Sequence, residues 1–203
     1  MDPAAWDTFR EYAASTDRGL TDAQGPALER GARWLAQASK ASGLSQYTRP
    51  EDALLRAMGP ALAYFRAATP RVGRVVDVGC GNGAIGATIA FFAPYLEVYL
   101  VDRAKRAYTT SELLVAKLGL TNAHPVHGTA GTLTVAYDAA VFRALAPAKD
   151  ALPLAASVIR PGGCICAFHR RGDVGFEQPE PPYEALETHE TLVPELLMTC
   201  YRS

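Results

Sequence analysis

The stretch Val75-Val76-Asp77-Val78-Gly79-Cys80-Gly81-Asn82-Gly83-Ala84-Ile85-Gly86 decides the fold. A β-branched run enters a glycine-rich bend, and a small apolar helix leaves it. Glycines let the backbone turn sharply and approach a ligand closely. In an open parallel sheet such a bend lies at the carboxyl edge, where ligands bind. The spacing alone does not choose the ligand, because Gly79, Gly81 and Ala84 also satisfy the G-x-G-x-x-G/A pattern of a dinucleotide site.

Outward from this bend, strands and helices alternate. A strand over 72–78 leads into the turn at 79–83, and a helix over 84–92 stops before Pro94. A second strand over 97–101 ends at Asp102, a helix over 105–118 is closed by Gly119, and a short strand covers 123–127. A fourth strand over 137–142 precedes a helix over 149–159, which Pro161-Gly162-Gly163 ends. A fifth strand covers 164–169, and segments 183–188 and 196–201 read as a closing antiparallel pair. This order predicts an α/β fold, a doubly wound, mostly parallel seven-stranded sheet of Rossmann-like type. Residues 1–69 read as a helical extension and 70–203 as the sheet domain. In the extension Leu28, Ala32, Leu35 and Ala36 recur at helical spacing, with Arg30, Arg33 and Gln37 opposite. Pro50 opens a further segment with Thr48 as expected N-cap and Leu54, Leu55, Met58, Leu62 and Phe65 on one stripe.

Asp77 favours one ligand class. It fills a strand position that is normally apolar in a dinucleotide turn, where it would face phosphates. A carboxylate there instead suits the methionine ammonium of S-adenosylmethionine. Asp102, which ends the second strand 23 residues after Gly79, can accept hydrogen bonds from ribose hydroxyls, or serve as a helix N-cap. Backbone N–H groups of Gly128-Thr129-Ala130-Gly131 are expected near an adenine edge, although the same residues also read as a plain loop.

Bulk properties agree with a globular domain. The 203 residues are 49% hydrophobic and 20% charged. No apolar run reaches the ~18 residues a membrane span requires, and no secretory signal is visible, so a cytoplasmic location is expected. Cys80, Cys164, Cys166 and Cys200 form no C-x-x-C pair and His124, His127, His169 and His189 lack metal spacing, so reduced cysteines and no metal are expected. The net charge of −1 argues against a general nucleic-acid binder. Seven acids and one base from Gly172 onward give −6, however, which leaves +5 on residues 1–171. A basic body of that kind suits either a phosphate-facing surface or ordinary solvated charge.

The chain resembles the RsmG (glucose-inhibited division protein B) family, bacterial 16S rRNA guanine-N7 methyltransferases, from about Leu28 to Arg171. The resemblance rests on Val76 to Gly83 with Gly86, on Leu100-Val101-Asp102 followed by Lys105-Arg106, on Val141-Phe142-Arg143-Ala144-Leu145-Ala146, and on Arg160-Pro161-Gly162-Gly163. It implies a class I methyltransferase fold, S-adenosylmethionine as cofactor with S-adenosylhomocysteine as product, and ribosomal RNA or the small ribosomal subunit as partner. It also implies that Gly79, Gly81, Asp102, Ala130 and Arg143 line the cofactor and substrate pocket; Asp77, on its strand position, and Cys80, Gly83, Arg103 and Thr129 are expected to bind the cofactor with them. Arg143 would be the catalytic residue, acting by substrate positioning. Lys105, Arg106, His169, Arg170 and Arg171 would face RNA phosphate. For these bases the alternative is surface charge, and for Phe142 core packing competes with base stacking. The family's Asn-Leu-Thr element reads Gly43-Leu44-Ser45 here, and its His followed by Asp-Ser reads Ala57-Met58-Gly59-Pro60-Ala61. Methyl transfer to another RNA or a small molecule, donor binding without transfer, and an NAD-linked oxidoreductase are the alternatives.

Overall fold

The structure, a computed structural model, describes residues 1–43, 45–133 and 135–202. Leu44 of the quoted Gly43-Leu44-Ser45 element lies outside them. The lead-in is helical. Pro3 opens α1 (Pro3–Ala14), and the Asp2 carboxylate accepts the Ala4 N–H at 3.0 Å as its N-cap. Helix α2 (Gly25–Ser42) buries Leu28, Ala32, Leu35 and Ala36 on the expected stripe and ends at Gly43, whose φ of 64° suits the left-handed C-cap. A third helical run starts as α3 (Pro50–Asp52), widens into a π-helix (Ala53–Met58) and tightens into a 3-10 helix (Gly59–Phe65). Its N-cap is extended Arg49, with no side-chain cap, rather than Thr48, because the chain stays extended up to the proline.

The remainder alternates as β1 (Gly73–Val78), α4 (Ala84–Phe92), β2 (Leu96–Asp102), α5 (Lys105–Leu118), β3 (Ala123–His127), a 3-10 turn (Ala130–Thr132), β4 (Tyr137–Arg143), α6 (Ala148–Ala156), β5 (Ile159–Arg170), α7 (Val174–Glu177), β6 (Glu184–Glu190) and β7 (Leu196–Arg202). The seven strands lie in the order β3-β2-β1-β4-β5-β7-β6. Those from β1 to β5 pair in parallel, and β7 runs antiparallel between β5 and β6. The acidic end of the chain thus forms the outer strand β6, where exposed charges discourage further strand pairing.

One boundary differs from the sequence reading. The helix expected to reach residue 159 ends at Ala156, and β5 begins at Ile159 instead of residue 164. Ile159 pairs with Tyr137, and the register then jumps to Ala139 opposite Cys164. Pro161-Gly162-Gly163 is therefore an outward bulge within the strand pairing rather than a helix terminator.

The sheet separates two apolar layers according to the twofold alternation of its strands. On one face Val75, Val98, Leu100, Val141, Phe168 and Met198 pack with Phe9, Leu28, Leu54, Ile89 and Leu114 from the lead-in helices, α4 and α5. On the other, Val76, Val78, Ala140, Phe142 and Ile165 pack with Leu152 of α6 and Phe176 of α7. Phe142 is 1% exposed, so it is a core residue rather than a stacking surface. All four cysteines are free thiols. Among the described residues, no helix is long and apolar enough to cross a membrane, and no His/Cys/Asp/Glu group could hold a metal ion.

Candidate active site

Strand β1 pairs with β2 on one side and β4 on the other, so the chain order reverses at this strand. The carboxyl edge of a sheet opens a crevice at such a switch point. The glycine bend sits there. Gly79, Gly81 and Gly83 take φ values of 67°, 57° and 78°, a region L side chains avoid. The Gly79 and Cys80 N–H groups donate to the Val101 carbonyl at 2.9 and 3.0 Å, and Gly83 N–H donates to the Cys80 carbonyl at 2.8 Å. A Cβ on Gly79 would meet the Leu145 side chain at 2.5 Å, and one on Gly83 would meet Ser111 at 2.9 Å.

Asp77 is 2% exposed and accepts the Gly86 N–H at 2.8 Å, across from the first turn of α4. Burial raises its carboxyl to about 7. The Gly86 N–H works against that rise, and the Asp102 charge adds to it. Burial likewise pushes the Cys80 thiol well up. Asp77 and the bend line a cavity of 290 Å³, whose other wall comes from Gln46, Tyr47, Ala57, Arg143 and Ala144.

The remaining expected donor-side residues stand apart from this cavity. Asp102 accepts the Gly81 N–H at 2.9 Å and the Ala104 N–H at 2.8 Å, so it braces the bend and the start of α5 together. Arg103 is exposed, and its carbonyl accepts the His127 Nε2–H at 3.1 Å. Thr129 N–H is taken by Thr132 Oγ1 at 3.3 Å within a capping box, and Ala130 is buried. The stretch read either as N–H groups facing an adenine edge or as a plain loop is a short 3-10 turn whose Thr129 and Thr132 bond to each other.

Arg143, at the end of β4, borders both this cavity and a second one of 1240 Å³. Its guanidinium donates to the Arg56 carbonyl at 2.8 Å and to the Tyr47 hydroxyl at 3.2 Å. Arg56 in turn pairs with Glu195. Burial raises the Tyr47 phenol, but the Arg143 charge and hydrogen bond, with those from Gln46 and Arg56, outweigh it and hold the phenol below its ordinary value.

The expected phosphate-facing bases divide. Lys105 and Arg106 are exposed at the start of α5, with the Lys105 ammonium 4.5 Å over the Tyr108 ring. Arg170 is exposed at the rim of the larger cavity. His169 is instead 4% exposed; its ring nitrogens contact the Thr199 hydroxyl at 2.9 Å and the Arg170 carbonyl at 3.0 Å, and its ring stacks on Phe176. Arg171 pairs with Glu190 at 2.5 Å and donates to the Pro194 carbonyl. Tyr47, Arg56, Glu195 and Tyr183, which also line these cavities, were not singled out in the sequence. The one available signal was an aromatic residue in a short loop just before the Pro50 helix start.

The GidB family, described as rRNA small subunit methyltransferase G, matches residues 24–194. The chain belongs to this family. Among relatives carrying the family's name, the protein from Burkholderia multivorans is 30% identical over 163 residues, 77% of this chain and 72% of the relative. The one from Thermotoga neapolitana is 37% identical over 100 residues, 47% of this chain and 44% of the relative. The chain spans about half the length of several curated relatives it matches. The ribosomal protein L11 methylase of Lactobacillus delbrueckii subsp. bulgaricus superposes with a TM-score of 0.60 at 17% identity, over 75% of this chain and 78% of that one. At that identity the likeness speaks for the fold, the class I methyltransferase sheet. The two cavities adjoin at Gln46, Tyr47, Arg143 and Ala144, which line both.

Proposed function

We propose that this chain transfers the methyl group of S-adenosylmethionine to guanine N7 in 16S ribosomal RNA, in the cytoplasm. The observation that carries the reading is a buried carboxylate, Asp77, at a glycine cradle whose crevice opens past Arg143 into a much larger cleft. The residues fit the donor. A cationic ammonium suits a carboxylate that burial and the neighbouring Asp102 charge hold partly protonated, and Gly81 leaves open space where a Cβ would stand. At 290 Å³ the crevice is at the small end of ligand pockets, about 300–1,000 Å³. Asp77, Gly79, Cys80, Gly81 and Gly83 would hold the amino-acid end. Asp102, with lone pairs left after bracing the bend, would accept the ribose hydroxyls beside Arg103, Thr129 and Ala130.

Bound S-adenosylmethionine supplies a methyl group already activated on a sulfonium sulfur. Guanine N7 carries a free lone pair and loses no proton on methylation, so the chain needs no general base. Its work is alignment and a fixed electrostatic surrounding. Arg143 is suited to this because two hydrogen bonds that it donates to the lead-in, to the Arg56 carbonyl and the Tyr47 hydroxyl, fix its guanidinium at the junction of the cavities. Arg56 beside it is neutralised by Glu195. Lys105, Arg106 and Arg170 supply exposed positive charge for phosphate on the same edge of the sheet, whereas His169 and Arg171 serve the fold and the closing hairpin.

Labelled donor incubated with small ribosomal subunits tests the reading. Label in 16S rRNA that maps to guanine N7 is the expected result. A thermal shift with S-adenosylhomocysteine and none with NAD is expected alongside. Donor binding without label in RNA or subunits would overturn the target and leave a small-molecule methyltransferase or an inert donor-binding protein.

A further inference from the structure

The cleft beyond Arg143 is larger than one base requires. Its 1240 Å³ exceeds the range of about 300–1,000 Å³ that encloses a single small ligand. Its floor is closed by buried Phe168 and Phe176, but its rim carries a half-buried aromatic ring, Tyr183, just before the outer strand β6. Lys149 in the first turn of α6 and Arg170 at the end of β5 stand exposed on the same rim, and neither has an ion-pair partner among the described residues. Arg171, one residue on, is tied to Glu190, so of these two adjacent arginines the one at the cleft is the one without an ion pair. Unpaired cations along a groove with a flat aromatic ring form the combination that holds a single strand, phosphates on the charges and a base against the ring. A paired duplex offers no free base face to such a ring.

We propose that this cleft binds a single-stranded RNA segment of more than one nucleotide: the acceptor base enters toward Arg143, its neighbour stacks on Tyr183, and the linking phosphates lie on Lys149 and Arg170. This rests on the reading of the chain as an RNA methyltransferase and adds where the strand runs. It also gives the segment before β6 a part in recognition, since Tyr183 comes from the acidic end of the chain. Exposed acids Asp173 and Glu180 also line the cleft. Asp173 N–H donates to the Arg170 carbonyl at 3.1 Å, so the acids share the rim with the cations.

Fluorescence anisotropy with a short labelled single-stranded RNA containing one guanosine, and with the same strand in a full duplex, tests the inference. The single strand is expected to bind about tenfold more tightly than the duplex. Tyr183→Ala should weaken it about tenfold, from the loss of one base stack, while Tyr183→Phe keeps the affinity because the ring face remains. Lys149→Ala and Arg170→Ala should each weaken binding and lower the slope of log affinity against log salt by about one unit. Lys149 is exposed, so its variant reports even if Tyr183→Ala fails to fold. Unchanged single-strand affinity in Tyr183→Ala and Lys149→Ala, or equal losses in Tyr183→Ala and Tyr183→Phe, would overturn the cleft assignment. Tighter binding of a short acidic peptide than of the RNA would overturn it too. If the variants behave as expected but ribosomal RNA takes no label, the cleft stands and the ribosomal target falls; label with variant-independent RNA affinity has the opposite meaning.

Discussion

Asp77 carries two opposed demands. Burial raises its carboxyl from 3.8 to about 7, the Gly86 N–H opposes the rise and the Asp102 charge assists it. The folded protein therefore keeps a proton, between about pH 4 and pH 7, that the unfolded chain has released. Stability falls as pH rises through that window, and above it the loss is complete. Asp77→Asn removes the titration while its amide oxygen still accepts from Gly86. The unliganded variant should match the wild type near pH 4 and melt higher at about pH 8, by up to a few kcal/mol at ~1.4 kcal/mol per pKa unit. Its affinity for S-adenosylhomocysteine at that pH should fall, by about 1–3 kcal/mol, because the ligand ammonium loses its charged partner. Thermal melts and calorimetric titration read both quantities; a variant that gains no stability at about pH 8 would mean that Asp77 titrates as an ordinary surface carboxylate. Asp77 was legible from the sequence because a carboxylate in a β-branched strand is locally anomalous. Tyr47 and Glu195 were not. Their contacts to Arg143 and Arg56 span 96 and 139 positions, and nothing in the local pattern marks a partner so far away.

At the level of elements, strand β1 and helix α4 meet through a single missing Cβ. A Cβ on Gly86 would lie 2.8 Å from the Leu100 side chain and 2.9 Å from the Asp77 carboxylate oxygen. Helix propensity alone would favour alanine at this position by about 1 kcal/mol. Forcing a methyl into a filled strand–helix contact costs about 1–3 kcal/mol, and here it also displaces the Gly86 N–H from Asp77. Gly86→Ala should therefore lower the chemical denaturation midpoint and weaken S-adenosylhomocysteine binding together. A raised midpoint would mean that α4 can shift away from the sheet at no cost. The boundaries of α4 and α5 were readable because Gly83, Pro94 and Gly119 punctuate them. Those of α6 and β5 were not. Pro153 lies inside α6 instead of ending it, and Pro161-Gly162-Gly163 bulges out of a pairing that Ile159 has already begun. Breaker residues signal that the backbone leaves regular geometry, but only the partner strand decides whether an element ends there.

Over the whole molecule, the lead-in is stitched to the sheet at both ends of the chain. Leu28 is fully buried in the layer that holds Val75, Val98 and Met198. The Tyr12 hydroxyl donates to the Glu190 carbonyl at 2.9 Å, the Ala68 N–H donates to Glu187 at 2.6 Å, and Arg56 pairs with Glu195, so the first third of the chain grips the closing hairpin. The same grip builds one wall of the smaller cavity, since Tyr47 and Ala57 face the bend from the lead-in side. The pattern of residues 1–69, read alone, gives an amphipathic extension with no stated partner. The partner is the face of the sheet that α4 and α5 leave uncovered, and periodicity within a helix cannot identify it. If the two regions share one core, a cavity in α2 must destabilise the sheet as much as the lead-in. Leu28→Ala, at a fully buried site, should cost about 2–5 kcal/mol and lower the melting temperature by about 5–15 °C in a single calorimetric transition. S-adenosylhomocysteine should raise that one transition, because its crevice exists only while the lead-in is docked. Two separate transitions, with only the lower one moved by Leu28→Ala and only the upper one moved by the ligand, would make residues 1–69 an independent unit and the crevice a property of the sheet alone.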